Sequence, residues 1–162
     1  MIPVPKKQKG SNVRTNEEKW TSALMKAGWT VIPQVILDRQ KALGLDAIDI
    51  NIILHIIKHW WNKNTPPFPS KRSIAECMQI DESTVRRRIA RMEKDGLIKR
   101  RPRFDSVNGQ RTNEYLLDGL IKEATPYARE MKEEKDRRKK EAVDSRRRKR
   151  VLKIVKPQGD SE

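Results

Sequence analysis

Residues 70–98 read Ser-Lys-Arg-Ser-Ile-Ala-Glu-Cys-Met-Gln-Ile-Asp-Glu-Ser-Thr-Val-Arg-Arg-Arg-Ile-Ala-Arg-Met-Glu-Lys-Asp-Gly-Leu-Ile. Ser70 is a favoured N-cap for a short helix over Lys71–Met78, whose Ile74, Ala75 and Met78 fall on one face. Gln79-Ile80 makes a turn. Asp81 then caps a second helix from Glu82 to about Asp95, which Gly96 ends. Within it Val85, Ile89 and Met92 follow the 3.6-residue period and define a buried face.

The chain after Gly96 changes period. Leu97 to Phe104 and Arg111 to Leu117 are two extended runs around the turn-rich Asp105-Ser106-Val107-Asn108-Gly109, and an Asn-Gly between such runs predicts a β-hairpin. On the other side, Asn64-Thr65-Pro66-Pro67-Phe68-Pro69 predicts a loop, because its prolines remove ladder donors. Before that, Asp46 caps a core helix from Ala47 to about Asn62, striped with Ile48, Ile52, Ile53, Ile56, Ile57 and Trp60. Pro33 opens a further helix through Val35, Ile36, Leu37 and Leu43, with Gly44 at its end. The first sizeable apolar side chains are Trp20, Leu24, Met25 and Trp29.

The ends are polar. Residues 1–18 read as a flexible basic arm, residues 19–120 as the domain, 121–145 as a charged helical extension, and 146–162 as a basic tail without fixed structure. Thr125-Pro126 reads as the cap and first position of that extension, and Glu133 with Arg137 and Glu134 with Arg138 support it at i, i+4.

The Pro69-Ser70 cap, the Ile74-Ala75 pair, Thr84-Val85 followed by arginines, and Gly96-Leu97-Ile98 carry a resemblance. The sequence resembles the bacterial winged helix-turn-helix regulators, in particular the short helix-turn-helix proteins of phages, plasmids and bacterial chromosomes. Asn113, Tyr115 and Leu117 match that family's returning wing strand, and the Gly119-Leu120 pair after the strand is similar as well. The resemblance covers about residues 20–128. Gln79 departs from it, standing where the family usually has glycine in a turn that often requires a positive φ. It implies a mainly α fold, a winged helix-turn-helix of helical core and two-stranded wing, and sequence-specific binding of double-stranded DNA. The first expectation is a cytoplasmic transcriptional regulator acting by operator occupancy. The alternatives are a module for replication initiation or plasmid and phage maintenance, and a non-specific nucleic-acid binder.

The charge agrees with such a partner. Lys and Arg number 37 against 22 acids, a net +15, which calls for a polyanion. An anionic membrane surface is the second candidate, but the apolar runs are too short to span a bilayer. The N-terminus has no apolar signal core, and the lone Cys77 excludes an intramolecular disulfide and suits a reducing cytoplasm.

In this fold the second helix enters the major groove. The helical wheel opposes Ser83, Arg87, Ala90, Arg91 and Lys94 to the buried face, with Thr84 and Arg86 flanking, and of these Ser83, Thr84, Arg86, Arg87, Ala90 and Arg91 are the candidate recognition residues. Arg87 is the first choice for base readout, because its planar fork matches guanine O6 and N7. Arg88 lies nearer the buried side and is expected on a phosphate or a scaffold acid. Ser70, Lys71 and Arg72 are candidate phosphate contacts at a helix start, and Lys99, Arg100, Arg101, Arg103 and Arg111 are the candidate wing contacts. The run from Arg137 to Lys156 and the Lys6-Lys7 arm would add sequence-independent affinity.

Other chemistries lack support. His55 and His59 have the spacing of a zinc pair but no Cys or acidic partner in pattern, so no metal is expected. No glycine-rich phosphate loop, nucleophile elbow or acid pair appears, which points away from an enzyme, a cofactor or a small-molecule ligand. A homodimer is left open, with Thr125 to Met131 as a weak candidate seam.

Overall fold

The computed structural model describes residues 11–106 and 109–154, with side chains described for 16–106, 109 and 111–148. In order, the elements are α1 (Ser11–Ala27), α2 (Gln34–Asp38), α3 (Ala47–Ile57), α4 (Lys71–Met78), α5 (Glu82–Lys94), β1 (Lys99–Arg101), β2 (Phe104–Asp105), β3 (Gly109–Gln110), β4 (Glu114–Leu116) and α6 (Asp118–Ile154). α2 to β4, with the first turns of α6, make a winged helix-turn-helix.

The Ser70 and Asp46 caps are local and form as the sequence dictates. The Ser70 hydroxyl accepts from Ser73 N–H at 2.9 Å. Asp46 Oδ1 accepts from Ile48 and Asp49 N–H at 2.9 and 3.0 Å, and Asp49 Oδ2 accepts from Asp46 N–H at 2.9 Å, which completes a capping box. Asp81 starts α5 through its extended backbone, without a side-chain bond. The core is the convergence of Ile52, Ile53 and Ile56 from α3, Ile74 from α4, Val85, Ile89 and Met92 from α5, then Ile98, Tyr115, Leu117 and Leu120, all buried. At about 25 cal/mol per Å² of apolar surface, each such side chain contributes about 1.5–3 kcal/mol.

The α4–α5 turn bears out the sequence departure. Gln79 adopts φ 53°, ψ 45°, the left-handed region that costs a side-chain-bearing residue about 1–2 kcal/mol. Gln79→Gly is therefore expected to raise the unfolding free energy by about 0.5–1 kcal/mol, once the greater freedom of glycine in the unfolded chain is counted. An unchanged urea midpoint would show that the turn carries no such strain.

The wing is one long antiparallel hairpin in two pieces. Lys99–Arg101 pairs with Glu114–Leu116, and Phe104–Asp105 with Gly109–Gln110. Pro102 has no N–H to give and interrupts the ladder, which a bond from Arg111 N–H to Arg103 O at 2.8 Å carries across. Gly109, at φ 70°, makes the turn; Val107 and Asn108 lie outside the described residues. On its far edge β4 bonds the proline run, Tyr115 N–H to Pro67 O at 2.9 Å.

Several sequence boundaries move. Residues 11–18 fall in α1, where a flexible arm was expected, and α1 is interrupted at Thr21 (φ 69°) with Trp20 and Leu24 exposed; residues 1–10 lie outside the described residues. The helix expected to begin at Thr125-Pro126 begins at Asp118, and Pro126 sits inside it. Leu120 and Ala124 bury in the core and hold that register, and the Thr125 hydroxyl donates to Ile121 O at 2.6 Å. The same helix continues to Ile154, so the expected boundary at 146 falls within it; residues 155–162 are outside the described residues. No described helix is long and apolar enough to cross a membrane.

Candidate nucleic-acid interface

Three stripes of α5 have different fates. Successive residues turn by about 100°, and Val85, Ile89 and Met92 are buried. On one flank, Arg88 pairs with Asp46 and lies 3.8 Å from Asp49. Arg91 pairs with Asp49 and donates to Gly44 O at 3.3 Å. On the other flank, Arg86 meets Glu82 at 3.1 Å, and Glu93 takes Arg100 Nε at 2.7 Å and Arg100 N–H at 3.0 Å. The outer stripe, Ser83, Arg87, Ala90 and Lys94, is exposed along its length. Among the described residues, Arg87 and Lys94 have no ion-pair partner.

Arg91 therefore stands elsewhere than the wheel suggested. Asp49 is fully buried at the N-terminus of α3, and a buried carboxylate needs a counter-charge. Arg91 supplies it. Burial holds the Asp49 carboxyl above its usual value, against the pull of the Asp46 N–H and the Arg91 guanidinium. At Asp46 burial also pushes up, but hydrogen bonds from Asp49 and from Arg88 outweigh it and hold this carboxyl below the usual range. Arg88 reaches a scaffold acid, as its wheel position suggested.

The expected wing cations are largely clamped. Arg101 bridges to Glu114 at 2.6 Å, Arg111 bonds Asp105 through Nε at 3.0 Å, and Arg103 lies 3.8 Å above the Phe68 ring and 3.7 Å from Glu114. Arg100 is drawn inward by Glu93, whose carboxyl is held below its usual value, first by the Arg100 side-chain bond. Lys99 stays exposed without an ion pair among the described residues. Exposed pairs such as Arg101–Glu114 and Arg72–Glu76 are worth about 0–1 kcal/mol, so a phosphate can replace the acid at small cost. The pair to Asp49 cannot be exchanged in that way.

Ser70, Lys71 and Arg72 line a cleft of about 250 Å³ with Glu82 of α5 and Arg111 and Asn113 of the wing. Burial first, then Arg100 and Arg86, depress the Lys71 ammonium below its ordinary value, so nearby cations already crowd this helix start. The sequence missed the Arg103–Phe68 stack and the Asp49 counter-charge. The only signal for the latter was an acid, Asp49, set in the apolar stripe of α3.

A family model for the DnaD N-terminal domain matches residues 32–136. The crystal structure of the N-terminal domain of DnaD protein from Geobacillus kaustophilus HTA426 is similar at 18% identity, covering 74% of this chain and 96% of that one, with a TM-score of 0.50. The transcriptional regulator PA3341 (17% identity, 90% of this chain and 96% of that one, TM-score 0.36) and the YusO protein from Bacillus subtilis (16%, 92% and 100%, 0.40) are more distant in shape. No curated protein sequence matches. Family and basic face together support DNA binding. With the match spanning α2 to the proximal part of α6, the chain belongs to the DnaD N-terminal domain family.

Proposed function

We propose that the chain binds duplex DNA with α5 in the major groove. Ser83, Arg87, Ala90 and Lys94 face the base edges, with Thr84 and Arg86 on the flanks. Ser70, Lys71 and Arg72 lie on one phosphate strand, and Lys99 and the exchangeable wing arginines Arg101, Arg103 and Arg111 on the other. The observation that carries this reading is the outer stripe of α5, exposed and without ion pairs, while Arg88 and Arg91 tie one flank to α3 and Glu93 ties the other to Arg100 of β1. A rigidly held helix that leaves one arginine free in its N-terminal half suits bidentate recognition of guanine. Arg91 and Arg100 act as scaffold.

The test is enrichment from a random duplex library at physiological salt, followed by Arg87→Ala. The substitution should cost about 1–3 kcal/mol on the selected site and little on random duplex. Equal losses on both would make Arg87 a phosphate contact and remove the readout. Membership of the DnaD N-terminal domain family supports a second reading beside operator occupancy, a replication-related use of the same face. Mapping the selected motif decides between them: clustering at a replication origin supports the former, and placement over promoters the latter.

A further inference from the structure

The distal part of α6 concentrates charge that the winged domain does not use. Its first turns belong to the core, with Leu120 and Ala124 buried, Tyr127 and Met131 half-buried, and Arg39 pairing Glu130 at 3.6 Å. Glu134 holds Arg137 and, at 2.7 Å, Arg138. From Lys139 to Arg148 every side chain is exposed, Val143 included. Residues 137–154 carry ten Lys and Arg against two acids. Among the described residues, Lys139, Lys140, Arg146, Arg147 and Arg148 have no ion-pair partner.

The pattern says what could neutralise them. At about 100° per residue, Arg137–Lys140 and Arg146–Arg148 ring the helix instead of striping it. A helix lying on a membrane surface needs a broad apolar face, and over residues 137–154 the apolar residues are only Ala142, Val143, Val151, Leu152 and Ile154, spread around the helix among ten cations. A helix charged on all sides fits surroundings that are negative on both sides. The major groove of B-form DNA, about 12 Å wide, admits an α-helix between two phosphate walls, whereas the major groove of A-form RNA is too deep and narrow. We propose that residues 137–148 of α6 form a second DNA site, seated in the major groove of duplex beyond the segment held by α5. From Gly119 to Arg146 the helix spans about 40 Å, roughly one turn of B-DNA. The proposal does not depend on the base contact assigned to Arg87.

The experiment uses the full chain with Lys139, Lys140, Arg146, Arg147 and Arg148 all changed to Gln, a residue of similar helix propensity. On a duplex holding the selected site, the slope of log K against log salt should become shallower by about four. The nuclease footprint should shorten by roughly one helical turn, with site preference intact. An unchanged slope and footprint overturns the proposal. So does an equal loss of affinity for single-stranded DNA of the same length, which would be plain polyanion attraction. Tighter binding of the wild type to phosphatidylglycerol–phosphatidylcholine vesicles than to duplex overturns it as well. If Arg87→Ala leaves site preference untouched while the five-site variant behaves as expected, the Arg87 readout falls and this proposal stands.

Discussion

Gly119→Ala is expected to lower the unfolding free energy by about 3 kcal/mol, the upper end of ordinary overpacking. A Cβ on Gly119 would lie 1.8 Å from the Gly96 carbonyl oxygen and 2.9 Å from its carbon, and both are backbone atoms that no rotamer change can move. The approach is held by a hydrogen bond from Leu120 N–H to Leu97 O at 2.8 Å. Gly96 makes the natural control. It has φ 75° but nothing within 4 Å of an added Cβ, so Gly96→Ala should cost only about 1–2 kcal/mol of left-handed strain. Urea unfolding of the two variants separates close approach from conformational strain. A Gly119→Ala midpoint no lower than that of Gly96→Ala would mean that α6 does not start against the end of α5. The junction matters for the interface because α5, the root of β1 and the first turn of α6 all meet there. A folded Gly119→Ala protein should therefore lose more from its wing contacts than from Arg87.

What the sequence disclosed and what it hid differ in range. The Ser70 and Asp46 caps, the Val85–Ile89–Met92 face and the hairpin around Gly109 depend on neighbours within a few residues, and all were legible. So was the strain at Gln79, because a turn fixes φ before any packing does. The partners of the arginines were not legible. Asp49 and Arg91 are separated by 42 residues, and a wheel places Arg91 opposite the buried face without saying that α3 presents a carboxylate there. The start of α6 was hidden for a related reason. Thr125-Pro126 is a strong local helix-start signal, but Leu120 and Ala124 bury one turn earlier, and tertiary burial outweighs the loss of one N–H at Pro126. Membership of the DnaD N-terminal domain family was hidden as well, since the motif residues are those of winged helices at large.

Arg91→Met should destabilise the protein by about 3 kcal/mol, because it strands a buried carboxylate. Asp49 has no exposed surface; its Oδ1 has no hydrogen-bond partner, and Arg88 stands 3.8 Å away, engaged with Asp46. Without Arg91 part of the pull that opposes burial is lost, the Asp46 N–H bond alone remaining, and the Asp49 carboxyl rises further above its ordinary value. The native state then holds a proton that the unfolded chain releases at about pH 4. Stability is accordingly greatest below that pH and falls as pH climbs through the raised native value, so the defect of Arg91→Met should be larger at neutral pH than in acid. Adding Asp49→Asn removes the charge while keeping an acceptor for Asp46 N–H, and should recover much of the loss, a non-additivity that a double-mutant cycle reads directly. The same pair of variants assigns Arg91. If its work is to neutralise Asp49, the double variant binds duplex with wild-type affinity and site preference. A folded double variant that has lost DNA affinity would return Arg91 to the interface and make its pairing with Asp49 a resting position that DNA displaces.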